Sequence, residues 1–130
     1  MCVHADNNRS ALAALADSQG RVLVFDVVTC VVMWMVKGYR DAQVAWASES
    51  SSEGRAHLWV YAPLRSSVEL WNVHKGKRVD AWSLPVVPHG QRAPPRVLLT
   101  APVSLVGHST VGQAASVWLV DVTGNQVFSL

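Results

Sequence analysis

The chain has 130 residues, half of them apolar and 15% charged, and a net charge of +2. That balance suits one core-forming domain and excludes a disordered polymer. The scattered basic residues give no ground for a nucleic-acid partner, and Cys2 and Cys30 build neither a disulfide framework nor a metal-ligand spacing.

Residues 1–10 are polar, lack the apolar stretch of a signal peptide and read as a flexible N-terminal tail. Residues 11–16 are Ala and Leu, helix formers by propensity, but six residues followed at once by Asp17-Ser18-Gln19-Gly20 are too few for a stable helix. Asp-Ser-x-Gly is turn chemistry, so the spacing predicts a strand at 11–16 paired across that turn with a strand at 21–27. A turn at 28–29 leads to a fourth strand at 30–36, rich in Val and Trp, in which Cys30 is expected as a small buried hydrophobe. The uncharged run 27–36 is ten residues long. A membrane span needs roughly 20, so no integral membrane segment is expected.

A link at 37–41 opens a second set, with an inner strand at 42–47, a polar low-complexity loop at 48–54 and a strand at 57–62 ended by Pro63. A turn at 64–66, a strand at 67–73, a hairpin turn at 74–77 and an outer strand at 78–84 follow. Lys75, Lys77 and Arg78 read as a solvated hairpin tip. Residues 85–95 hold Pro85, Pro88, Pro94 and Pro95 and form a link. One or two short strands are expected at 96–106, a Gly/Ser/Thr loop at 107–113, and strands at 115–122 and 126–130 around a turn at 123–125.

Three of these strands share a pattern. Val22-Leu23-Val24-Phe25-Asp26-Val27, Val68-Glu69-Leu70-Trp71-Asn72-Val73 and Val117-Trp118-Leu119-Val120-Asp121-Val122 each end in Asp or Asn, then Val. The recurring positions 26, 72 and 121 are 46 and 49 residues apart. Periods of about 40–50 residues with such a strand ending mark β-propeller blades. The fold expected is all-β: a partial β-propeller of about three WD-like blades of antiparallel strands, spanning 11–130 with blade segments at 11–37, 42–84 and 96–130. A whole propeller needs about 4–8 blades, so the chain reads as a fragment of a larger one. The six Trp suit packing between blades.

Catalytic patterns do not emerge. The histidines at 4, 57, 74, 89 and 108 have no metal-ligand spacing, and neither a G-x-S-x-G elbow nor a glycine-rich phosphate loop occurs. His108 and Ser109 are neighbours, not a triad. Asp26, Asn72 and Asp121 are best explained as braces of strand-to-turn corners. No cofactor is implied, and the chain reads as a non-enzymatic cytoplasmic interaction module. The site-like segment is the link: Lys37, Tyr39, Arg40, Asp41 and Gln43 are polar, closely spaced and set between two blades. They read either as an inter-blade brace, with Arg40 and Asp41 paired to backbone or to each other, or as a partner-contact loop.

That same segment carries a resemblance. Trp-x-x-Lys-Gly-Tyr-Arg-Asp-Ala-Gln at 34–43, Trp46, Val60-Tyr61-Ala62-Pro63-Leu64-Arg65 and Val68-Glu69-Leu70-Trp71 resemble the N-terminal propeller region of the Rab-three GTPase-activating protein non-catalytic (regulatory) subunit family. The turn from Asp17 to Val22 and the stretch Leu119-Val120-Asp121 with Gly124 fit the same region in order. The resemblance implies a regulatory scaffold that pairs with a separate catalytic subunit as a heterodimer and acts through it on Rab-family GTPases in vesicle trafficking. It also implies that the catalytic arginine belongs to the other subunit, so Arg40 is not read as an arginine finger. A generic WD-like propeller module with an unrelated partner is the alternative.

Overall fold

The computed structural model describes residues 2–5, 11–47, 56–85, 96–100, 117–121 and 127–129. The polar loop at 48–54, most of the proline-rich link and the loop at 107–113 lie outside the described residues. Strands β1 (Cys2–Ala5), β2 (Ala11–Ala16), β3 (Arg21–Asp26) and β4 (Val31–Lys37) pair in chain order into one sheet. Strands β5 (Gln43–Trp46), β6 (His57–Ala62), β7 (Ser67–Asn72) and β8 (Lys77–Ser83) form a second. A short 3-10 turn, Pro63–Arg65, joins β6 to β7. The third sheet holds β9 (Arg96–Thr100), β10 (Val117–Asp121) and β11 (Val127–Ser129) among the described residues. Every pairing is antiparallel. Strand β5 lies against β1 and β2 on one side and against β9 on the other. The chain is therefore all-β, a row of blades forming a partial β-propeller.

The middle blade shows why the pattern produces this stack. Side chains alternate between the two faces of a strand, and β6 is apolar on both. Leu58, Val60 and Ala62 pack with Leu12, Ala14, Val22 and Val24 of the first blade. Trp59 and Tyr61 point the other way and pack with Val68, Leu98 and Leu119 towards the third. A half-buried antiparallel sheet alternates apolar and polar residues; β6, buried on both faces, reads instead as a continuous apolar run from Leu58 to Ala62. The outer strand β8 departs from this, with Lys77, Arg78, Val79 and Asp80 all exposed.

The repeat extends to irregularities. The register shifts between Val24 and Phe25 in the first blade and between Leu70 and Trp71 in the second, just before Asp26 and Asn72 respectively. A bulge adds one residue to a strand and sharpens its twist. Its recurrence at the same step marks the two blades as copies of one unit.

Two expectations are corrected. The N-terminal tail is not wholly unstructured: Cys2–Ala5 pairs with Ala11–Ala16, with Val3 opposite Ala13, because backbone pairing does not require the strand to look apolar. Cys30 is exposed, not buried. It closes the turn at 27–30 with φ 56, and this left-handed geometry ends the reversal before β4 starts at Val31.

Truncation should separate buried from outer positions. Leu58, fully buried between the first two blades, should cost about 2–5 kcal/mol as Leu58→Ala, whereas exposed Val79 as Val79→Ala should cost no more than ~0.5 kcal/mol. Urea unfolding midpoints of the two variants would show the contrast.

Candidate functional site

The link between the first two blades is built around Tyr39. Lys37 ends β4, and the chain then reverses through Gly38 to reach β5. The Tyr39 N–H donates to the Gly20 carbonyl (2.8 Å), tying the link to the β2–β3 hairpin. Gly20 has φ +78, and a Cβ there would sit 3.0 Å from the Arg40 nitrogen, so the close approach requires glycine. Within that hairpin the Arg21 N–H, then its guanidinium, hold Asp17 below its ordinary carboxylate range.

Tyr39 is buried and its hydroxyl donates to Glu69 Oε2 at 2.7 Å. Trp71 Nε1 donates to the same oxygen (3.0 Å), and Arg78 Nη1 bonds Oε1 (3.3 Å). Glu69 is only 2% exposed. A buried carboxylate is tolerated only when its lone pairs are met by donors and a countercharge. Here two aromatic donors and one arginine supply both. Burial, then the hydrogen bond to Glu69 and its charge, push the Tyr39 hydroxyl up to about 12. Around this hub Trp71 lies 5.0 Å from Trp34 and meets Tyr39 edge-on at 6.4 Å. The Arg65 guanidinium carbon stands 4.3 Å over the Tyr39 ring.

Gln43 does the corresponding work on the other side of the middle blade. Its Nε2 donates to the Arg96 carbonyl (2.6 Å) and its Oε1 accepts from the Leu98 N–H (3.0 Å), stitching β5 to β9. Nearby, Arg96 lies opposite Asp121 in register and both are buried. Burial raises the Tyr61 hydroxyl, with the charge and hydrogen bond of Arg96 acting against it.

The five link residues thus divide. Tyr39 and Gln43 are engaged between blades. Lys37, Arg40 and Asp41 are exposed, and their side chains make no hydrogen bond or ion pair among the described residues. The brace expected of Arg40 and Asp41 is not made by them: Asp41 adopts φ 59, a turn conformation that carries its carboxyl outward. Two further residues escaped the sequence reading. Glu69 takes the place of an apolar residue in the repeat, where the other strands have Leu23 and Trp118, and that substitution was its signal. Arg78, exposed at the start of β8, also reaches Glu69 with its Nη1, a contact that the solvated-tip reading did not include. The corner braces are visible at Asp26, which accepts from the N–H groups of Val28 (2.8 Å) and Thr29 (3.2 Å), and at Asn72, which accepts from Lys75 (2.9 Å). The turn after Asp121 lies outside the described residues. Among the described residues no group of three or more His, Cys, Asp or Glu could hold a metal, and no helix is long and apolar enough to cross a membrane.

Comparison with known proteins points in one direction. Residues 5–86 match the family described as Rab3 GTPase-activating protein regulatory subunit N-terminus. The Rab3 GTPase-activating protein regulatory subunit of Caenorhabditis elegans is 40% identical over 73 residues, 55% of this chain and 6% of that protein. The chain thus matches a small part of a much longer relative. No solved structure matches it.

Two substitutions probe the two seams. Tyr39→Phe removes one donor to a buried carboxylate and should cost about 1–3 kcal/mol. It should also change the alkaline response. With the hydroxyl raised from 10.0 to about 12, the folded state holds the proton that the unfolded chain loses, so Tyr39's contribution is complete below pH 10 and is lost as pH rises to 12. Urea midpoints taken across that window should fall less steeply in Tyr39→Phe than in the wild type, with Tyr61 still contributing. Gln43→Leu should leave the Leu98 N–H without its acceptor, costing about 1–3 kcal/mol and speeding amide exchange at Leu98.

Proposed function

Because the chain belongs to the Rab3 GTPase-activating protein regulatory subunit N-terminal family, we propose that it is a non-catalytic scaffold segment of a Rab GTPase-activating complex. The match over residues 5–86 carries this reading. In it, the chain's WD-like blades supply a rigid surface for a separate catalytic subunit. That subunit acts on a Rab-family GTPase in the cytoplasm during vesicle trafficking. The chain itself is not an enzyme and needs no cofactor. The geometry supports a scaffold: Tyr39 and Gln43 of the link are committed to seams between blades, as at Tyr39–Glu69 and Gln43–Leu98, while Lys37, Arg40 and Asp41 are exposed on its surface. Arg40, exposed on the link, is not assigned a catalytic role.

Affinity capture of the tagged protein from its own cells, with mass spectrometry of bait and partners, tests the reading. Recovery of a Rab GTPase-activating catalytic subunit is expected, and the purified bait alone should not accelerate GTP hydrolysis by a Rab protein. Capture of an unrelated partner without such a subunit would replace this reading with a generic propeller interaction module.

A further inference from the structure

Three segments meet at one rim of the first two blades: the β2–β3 hairpin, the link and the 3-10 turn Pro63–Arg65. The Tyr39–Gly20 hydrogen bond joins the first two. Gly38 joins the third, since a Cβ there would lie 2.8 Å from Arg65 Nη2 and its φ is +87. Lys37 stands opposite Arg21 in register. Arg21 is held by Asp17 at 2.6 Å. Lys37, Arg40 and Arg65 are exposed and have no carboxylate partner among the described residues. Asp41 offsets only part of this charge. Leu64, 71% exposed, projects from the same turn as Arg65.

Arg65 is held in place before any partner arrives. Its guanidinium lies on the Tyr39 ring, and Tyr39 is anchored through its hydroxyl to Glu69. Stacking occupies a face of the planar group and leaves N–H edges for a carboxylate, which arginine binds in bidentate fashion. A side chain already ordered gives up less entropy on binding. The cations at the opposite end of the middle blade differ, because Arg78 is engaged by Glu69 and Lys77 lies on a strand that also carries Asp80.

We propose that the rim formed by Lys37, Arg40 and Arg65 around Leu64 is the docking surface for an acidic segment of the catalytic subunit, with Leu64 entering an apolar contact. This inference rests on the regulatory-subunit reading above. A protein segment fits better than a lipid surface. Three cations contribute about 1 kcal/mol each at an anionic membrane, too little for stable attachment, whereas a matched carboxylate uses the fixed geometry of Arg65.

The test uses the full protein that carries this segment and the purified catalytic subunit, with binding rates measured at low and high salt. Lys37→Glu/Arg40→Glu, two exposed positions outside the core, should weaken binding about tenfold at low salt, mostly through slower association, and by less at high salt. Arg65→Glu should do the same, and Lys75→Glu/Lys77→Glu should leave binding within about twofold. Wild-type protein that binds the subunit, with charge-reversed variants binding equally well, would overturn the docking surface alone. Wild-type protein that does not bind it would overturn the regulatory-subunit reading and the surface with it. Loss of sedimentation with phosphatidylserine vesicles in the charge-reversed variants, with subunit affinity unchanged, would overturn the proposal in favour of a lipid surface.

Discussion

The buried carboxylate of Glu69 sets the geometry of the seam between the first two blades. Apolar packing alone is weakly directional, and two blades covered with Val and Leu could slide against each other. Glu69 removes that freedom. Its oxygens must be met by Tyr39, Trp71 and Arg78 together, at 2.7, 3.0 and 3.3 Å. These donors come from the link, from β7 itself and from β8, so one position of the link relative to the second blade satisfies all three. An unmet buried carboxylate costs several kcal/mol, and unlike apolar burial that cost depends on the direction of its donors.

From that constraint the rim follows. Tyr39 is anchored at its hydroxyl, its ring is presented towards Arg65, and its backbone reaches the β2–β3 hairpin through Gly20. Glycines stand where the chain comes closest to its neighbours, at Gly20 against the Arg40 backbone and at Gly38 against the Arg65 guanidinium. The exposed charges of Lys37, Arg40 and Arg65 are therefore displayed on a fixed frame. The second seam uses a neutral device instead: the amide of Gln43 bonds the backbone of β9 on both its nitrogen and its oxygen. A neutral amide carries a smaller desolvation penalty than a charge.

Much of the fold was legible in the chain because it rests on local patterns. The repeated strand endings at Asp26 and Asn72 correspond to real turn braces, and the strand expected at 57–62 is β6, ended by Pro63. The link stood out in the chain by its density of polar side chains. The division of labour within it was not. Tyr39 and Arg40 are adjacent in sequence, yet one is buried and the other exposed, because the turn conformation, not the residue type, decides which side chain points inward. Cys30 illustrates the same limit: an apolar setting in sequence suggested burial, and a left-handed turn placed it in solvent.

By itself the sequence determined the class of the fold, since periodicity and turn chemistry are properties of neighbouring residues, and its short motifs carried the resemblance to the family that residues 5–86 match. Tertiary structure alone decided that Glu69, Tyr39, Trp71 and Arg78 form one cluster, that Gln43 bridges to Leu98 fifty-five positions away, and that Arg65 joins Lys37 and Arg40 at one rim. These groups are distant along the chain, and nothing local specifies their approach. They meet because the middle blade is buried on both faces, and the stacking of its neighbours on those faces brings separate turns to a common edge.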